Sequence, residues 1–206
     1  MKAKLILMFL GAGLIMASCT KYPPSSDRLL EDLAIYTKYD TKADFASYKT
    51  YYMNDSVMKV ADDDSGWYYN SQVQSLMDRI ASNMKKLGYT RTYNKNATDL
   101  YMGVSVVKNI NVTVYYPGWY YPYYPSDWWY WGGYYPYYPY YPAYITSYSS
   151  GSIIMDMMDI KNRQGDQVAV VWNGFVRGLM TGSHTLPEIE QSIDQAFSQT
   201  KGFQGN

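Results

Sequence analysis

Residues 115–148 set the strongest constraint on what this chain can fold into. They run Tyr-Tyr-Pro-Gly-Trp-Tyr-Tyr-Pro-Tyr-Tyr-Pro and continue in that style through Trp128, Trp129 and Trp131 to Tyr144. These 34 positions hold 15 of the 26 tyrosines, 4 of the 6 tryptophans and 6 of the 9 prolines, with Asp127 as their single charge. Proline cannot donate to a sheet ladder and breaks a helix, so the tract cannot be one long regular element. A loop of this length in a compact domain is either functional or disordered. Tyrosine and tryptophan rings stack on sugar faces and sit well at wet apolar interfaces. Trp119, Trp128, Trp129 and Trp131 are therefore candidate glycan contacts. The opposing expectation is a low-complexity excursion that hangs loose or collapses onto its own domain.

The first 18 residues read as a leader. Lys2 and Lys4 form a basic start, Leu5–Ile15 is an apolar run of 11 residues, and Met16-Ala17-Ser18 precede Cys19. Eleven apolar residues are too few for a bilayer core of about 30 Å, so the segment fits a cleaved signal better than a retained span. Cys19 is the only cysteine, which rules out an internal disulfide. Met16-Ala17-Ser18-Cys19 resembles the bacterial lipoprotein box, in which cleavage between the positions of Ser18 and Cys19 leaves an acylated cysteine as the new N-terminus. Several acyl chains would hold the chain stably on a membrane. Residues 19–32 then read as the lipidated cysteine and a Pro- and Ser-containing tether. The residues after Cys19, Thr20-Lys21-Tyr22, lack the acids that redirect bacterial lipoproteins. That implies the periplasmic face of the outer membrane, with the cell surface as the alternative. Without Lys2 and Lys4 the chain has 16 basic and 18 acidic residues, which gives no electrostatic basis for nucleic-acid binding.

Patterned sequence follows on both sides of the tract. Residues 33–39 and 48–53 have strand composition. Trp67–Leu87 carries one apolar stripe, Val73, Leu76, Met77, Ile80, Met84 and Leu87, closed by Lys85, Lys86 and Gly88. This predicts a helix, with the acids Asp62-Asp63-Asp64 at its positive end. Those acids lack the glycine and glutamate of a calcium loop, so no metal is expected there. Residues 99–107 alternate as a half-buried strand. Residues 152–160 and 168–176 predict a hairpin with a five-residue loop, in which Trp172 shares a face with Val168, Val170 and Val176. Thr185 and Glu188 have capping-box spacing for a last helix with the stripe Ile189, Ile193, Ala196 and Phe197. Residues 201–206 read as a frayed tail.

Little in this pattern can do chemistry. His184, the only histidine, has no nucleophile or orienting partner in view and reads as a surface-loop residue. Asp156 and Asp159 are three apart in a strand and face opposite ways, so they make no carboxylate pair. Asp159 is expected to start the turn. Asp156 needs no account if its strand has a wet face. Asp55-Ser56-Val57 resembles the acceptor motif for O-linked glycans on exported proteins of one bacterial phylum, which makes Ser56 a candidate glycosylation site. Neither a catalytic constellation nor a cofactor motif is present, so no enzymatic activity and no cofactor are expected.

The order of motifs is itself informative. Tyr39-Asp40, Asp44-Phe45 and Tyr48-Lys49-Thr50-Tyr51 open the domain, and a helix ends at Leu87-Gly88-Tyr89. Thr98-Asp99-Leu100, the Ile-Met-Asp-Met-Met-Asp run and Trp172-Asn173-Gly174 follow. Over residues 33–200 this order resembles the bacterial lipoprotein family known as domain of unknown function 4136. The resemblance implies an α+β domain on a lipid anchor in the cell envelope and implies no activity. The expected fold is a largely antiparallel sheet with two amphipathic helices on one face and the aromatic tract as a long loop projecting between strands. The expected role is non-catalytic, structural or interaction-based, in the envelope. The alternative is a glycan- or peptidoglycan-binding module that uses the tract. Candidate partners are the membrane, peptidoglycan, other glycans or another envelope protein.

Overall fold

The computed structural model describes residues 34–60, 66–107, 135–137, 139, 151–178, 184–200 and 203. All fall in one compact unit, Leu33–Asn206. The strands are β1 (Ile35–Tyr39), β2 (Thr50–Tyr52), β3 (Val57–Val60), β4 (Gly66–Tyr68), β5 (Thr90–Arg91), β6 (Leu100–Val107), β7 (Tyr135–Tyr137), β8 (Ile153–Gln164) and β9 (Gln167–Val176). The helices are α1 (Ser71–Lys86) and α2 (Leu186–Ser198), with a short 3-10 turn at Phe45–Ser47. The fold is α+β. Its main path runs β1-β9-β8-β6-β2-β5, with β3 on β6, β4 on β3 and β7 on β9. The long ladders, β1–β9, β8–β9 and β6–β8, are antiparallel. The short ones, β2–β5, β2–β6, β3–β6 and β7–β9, are parallel.

Both helices pack on one face of the sheet. Val73, Leu76, Met77, Ile80 and Met84 of α1 and Ile189, Ile193, Ala196 and Phe197 of α2 share one core with Leu100, Met102, Val104, Ile153, Met155, Met157, Trp172 and Val176. Local chemistry sets each helix end. Asn70 caps α1 by accepting from the Val73 N–H at 2.8 Å. At the other end the N–H of Tyr89 reaches the carbonyl of Met84 and that of Gly88 reaches Lys85, with Gly88 at φ +89°. That pair of bonds is a Schellman cap, and the left-handed Gly88 makes it possible. The helix therefore starts later than the periodicity predicts. Residues 66–68 form β4 instead, and no acid lies in the first turn. Asp62, Asp63 and Asp64 fall outside the described residues. At α2, the Glu188 carboxylate accepts from the Thr185 N–H at 2.7 Å and its hydroxyl at 2.9 Å, as the capping-box spacing predicts.

Three expectations fail for physical reasons. The β8–β9 loop is two residues, Gly165-Asp166, because Gly165 takes φ +61° and lets both strands run further. Asp159 consequently lies inside β8 rather than starting the turn. Trp172 does not share a face with Val168 and Val170. The ladder shifts register between Met157 and Met158, leaving Val171 as an extra residue. Such a bulge inverts the alternation on either side of it. Trp172 and Val176 face the helices, while Val168, Val170 and Phe175 face away. The tail is not wholly frayed either. Phe203 is buried, with its ring 5.1 Å from that of Phe45 and 5.8 Å from that of Trp172.

The face away from the helices is equally buried. Met58, Val60, Tyr101, Val107, Ile154, Met158, Ile160, Val168, Val170 and Phe175 form a second apolar cluster there. All eight residues of β6 are buried, so it is not the half-buried strand that its alternation suggests. Among the described residues no helix covers that face. The aromatic tract also does more than project, because Tyr135–Tyr137 pairs with Gln167–Ala169 as β7.

Candidate functional site

Ser18, Cys19, Trp119, Trp128, Trp129 and Trp131 lie outside the described residues, as do residues 1–33 generally. Ser56 sits half-buried in the bend between β2 and β3. Beside it, Asp55 is exposed and ion-paired to Arg91 at 2.6 Å. Arg91 also donates to the Met53 carbonyl at 2.7 Å, which fixes the bend from below. Ser56 therefore lies on a held turn. His184 is not a freely exposed loop residue, since its side chain is 15% exposed, and Nδ1 lies 4.0 Å from Glu188. Among the described residues there is no group of three or more His, Cys, Asp or Glu that could hold a metal ion. Nor is any described helix long and apolar enough to cross a membrane.

The two strand carboxylates have separate surroundings. Asp159 faces the helix side, where it accepts from the Tyr48 hydroxyl at 2.7 Å and from the Asn162 backbone and side-chain N–H groups at 2.9 and 2.8 Å. Burial, and then this bond to a carboxylate, pushes the Tyr48 hydroxyl far above its ordinary range. Asp156 lies on the opposite face, directly across from Asn173 and Gly103. It is 4% exposed and accepts from Asn173 Nδ2 at 2.7 Å. The Asn173 carbonyl oxygen is buried, and among the described residues no donor reaches it. Ser105, also buried, is on the same face. Asp156 therefore does need an account, because its face is dry. The four positions make a small polar centre inside an apolar surround. The contact within it is the hydrogen bond from the Asn173 amide to the Asp156 carboxylate. The -Met-Asp-Met-Met-Asp- alternation put Asp156 in an apolar strand, but only the sheet shows that both faces are covered.

A second feature is aromatic. Trp67, Tyr68 and Tyr69 stand 43, 41 and 56% exposed on and just after β4, an edge strand paired with β3. The Tyr69 hydroxyl donates to Gln74 at 2.9 Å and Asn70 donates to the Tyr68 hydroxyl at 2.9 Å, so the first turn of α1 orients both rings. Across a loop, Tyr93 is 77% exposed and stacks under the Arg91 guanidinium at 5.2 Å. Sequence reading placed Trp67 in the helix. Asn70, a strong cap residue just before the apolar stripe, was the signal for a later start.

The two helices are tied to each other by side chains. Arg79 Nε donates to Asp194 at 2.7 Å, its Nη2 donates to the other carboxylate oxygen, and Asn83 adds a bond of 2.7 Å. The Arg79 bond, opposed by burial, holds the Asp194 carboxyl below the ordinary range. This is a structural clamp between α1 and α2.

The fold has counterparts among known proteins. A crystal structure of a DUF4136 family protein from Bacteroides thetaiotaomicron is 27% identical, covers 83% of this chain and 97% of its own, and superposes with a TM-score of 0.65. A PelC dodecamer from Paraburkholderia phytofirmans is 8% identical, covers 85% of this chain and 99% of its own, and gives a TM-score of 0.43. No curated protein matches the chain. The family model described as "Domain of unknown function (DUF4136)" matches residues 35–200, from the start of β1 to the end of the α2 cap, and the chain belongs to that family.

Proposed function

We propose that this protein is a non-catalytic lipoprotein, anchored through Cys19 to the outer membrane and facing the periplasm, with a structural or interaction role in the cell envelope. One observation carries the reading: the sole cysteine follows an 11-residue apolar run and the box Met16-Ala17-Ser18. A domain built from two helices packed on one sheet, with Asp156 and Asp159 engaged in hydrogen bonds, supports a role in holding or contacting rather than in turnover. Labelling of cells with a radioactive or alkyne-bearing fatty acid tests the anchor. The wild type should take up label and fractionate with the outer membrane. Cys19→Ser should lose the label and move to the soluble periplasmic fraction. Label retained by the variant would refute the anchor.

The alternative reading is a glycan- or peptidoglycan-binding module. The exposed rings of Tyr68 and Tyr69 favour it, because rings held in place by their own hydroxyl bonds stack on sugars at little entropic cost, and Trp67 is exposed beside them. Pulldown on peptidoglycan separates the contributors. Replacing Trp128, Trp129 and Trp131 by Ala tests the tract, and Trp67→Ala with Tyr69→Ala tests the edge. A wild type that binds no cell-wall or glycan resin removes the reading. Ser56 remains the position to inspect for an O-linked glycan, by intact mass of wild type and Ser56→Ala.

A further inference from the structure

β1 is the end strand of the main path, and among the described residues no strand pairs with its outer edge. Its inner edge is fully used. The Ala34 carbonyl accepts from the Arg177 N–H at 2.9 Å, and the Asp40 N–H donates to the Val171 carbonyl at 2.8 Å. Both bonds keep the register in which Tyr36 faces Phe175 and Lys38 faces Asn173. In an antiparallel ladder, residues that exchange bonds with the partner alternate with residues whose N–H and C=O point the other way. Tyr36 and Lys38 therefore bond to β9, while the backbones of Ile35, Thr37 and Tyr39 point out from the edge of the sheet. Those three residues are only partly buried. Such a row of open donors and acceptors is a template for a further strand. The other short edges offer less. β4 and β7 have three residues and β5 has two, and β7 carries Pro136, which has no N–H to donate.

This edge is complementary to itself. Antiparallel pairing with β1 of a second copy engages all three open residues of both strands in one register alone, centred on Thr37. Thr37 then lies opposite Thr37 of the copy, Ile35 opposite Tyr39 and Tyr36 opposite Lys38. A register displaced toward Asp40 sets Lys38 against Lys38 of the copy, where like charges repel. One displaced toward Ala34 leaves Tyr39 opposite a position beyond the copy's strand. In the centred register the cross-strand neighbours suit each other. Ile35 and Tyr39 already pack against the helix-side core, so their contact extends an apolar layer. On the second face Tyr36 is 44% exposed beside Phe175, and its ring is open to the ammonium of an exposed lysine. Lys38 thus disfavours the wrong register and suits the right one.

We propose that β1 is a dimerisation edge, at which two copies of this chain join their sheets antiparallel across a twofold axis at Thr37. Such a contact uses the same patch on both copies and closes on itself. The inference goes beyond the anchoring role and does not depend on it.

Two measurements on the full chain in detergent test it, both in the Cys19→Ser background, where an engineered thiol is the only one. In the centred register Tyr36 and Lys38 of the copy form a pair without backbone bonds, about 4.5 Å apart at Cα and within disulfide reach. Each lies about 8 Å from its own equivalent, which is beyond that reach. An oxidised mixture of Tyr36→Cys and Lys38→Cys chains should therefore give the mixed dimer in severalfold excess over either homodimer. Homodimers in equal or greater amount, or no bridge at all, would overturn the proposal. The second measurement is sedimentation over a dilution series. Thr37→Pro removes an N–H that serves no bond to β9, whereas Thr37→Val keeps it. Both lose the hydroxyl bond from Thr37 to Gln199, so that bond cancels in the comparison. The Cys19→Ser parent chain and Thr37→Val should dimerise alike, and Thr37→Pro roughly tenfold more weakly, with an unchanged far-ultraviolet circular dichroism spectrum. A parent chain that stays monomeric at every concentration, or a folded Thr37→Pro that associates equally well, would overturn the proposal. Should Thr37→Pro misfold, the disulfide pattern decides alone.

Discussion

Gly174→Ala tests the packing at the heart of the helix-facing core. An added Cβ would lie 2.5 Å from the Trp172 ring and 2.9 Å from the Met155 methyl. The ring cannot easily retreat. It stacks on Phe197 at 5.0 Å, meets Phe203 at 5.8 Å, and donates from Nε1 to Thr200 at 2.6 Å. Overpacking of this kind costs about 1–3 kcal/mol. A displaced indole would also lose the Thr200 bond and leave a buried N–H unmet, at about 1–3 kcal/mol. Removing a glycine from a strand returns about 0.5–1 kcal/mol through the unfolded chain. The net loss should be about 3 kcal/mol, or roughly 6–12 °C in Tm for a chain of this size. Denaturation followed by near-ultraviolet circular dichroism reads both stability and the indole's packing. Thr200→Val alone should cost about 1–2 kcal/mol, and the double variant should cost less than the sum, because both changes remove the same bond. A Gly174→Ala protein within about 0.5 kcal/mol of wild type, or strict additivity, would refute the reasoning.

Further outcomes follow from the same geometry. Asn70→Ala should destabilise by about 1 kcal/mol, read by urea unfolding, because it removes the α1 cap. Asp194→Asn should cost about 1 kcal/mol at neutral pH. The Asp194 carboxyl is depressed in the folded chain, so its contribution is present above the unfolded carboxylate range and lost as pH falls. Wild type and variant should therefore converge in acid, and a gap that persists would argue against the Arg79 clamp. At the alkaline end, burial pushes the Tyr89 hydroxyl up to about 12 and raises Tyr51 and Tyr101. The folded state holds these protons longer than the unfolded one. Their contribution should be flat below about pH 10 and fall steadily above it, and absorbance at the phenolate band should show these tyrosines ionising only with unfolding.

Much of the helix layer was legible from periodicity. The stripes Val73–Met84 and Ile189–Phe197 are the faces that are buried, and Gly88, Thr185 and Glu188 mark their ends as local chemistry dictates. The strands were legible in part. β1, β6, β8 and β9 are long enough to show a pattern, whereas β3, β4, β5 and β7 have two to four residues and gain their form only from a partner strand. Trp172 shows the limit most clearly. Its assignment to a face required knowing that Val171 is an extra residue, and a bulge is a property of a ladder between two strands, not of one. The motif Trp172-Asn173-Gly174 acquires a meaning only there: the ring lies toward the helices, the amide toward the second face, and the glycine leaves room under the indole.

By itself the sequence determined the class of the fold, the two helices, the family, and the position of the one cysteine that the anchoring proposal uses. These rest on local or linear features: residue spacing, capping residues and motif order. Only the tertiary structure decided which strands pair in parallel, that both faces of β6 are buried, that Asp156 is enclosed, and that the aromatic tract contributes a strand to β9. Each of those depends on contacts between residues far apart in the chain, and such contacts are set by how the apolar faces are covered rather than by any local preference.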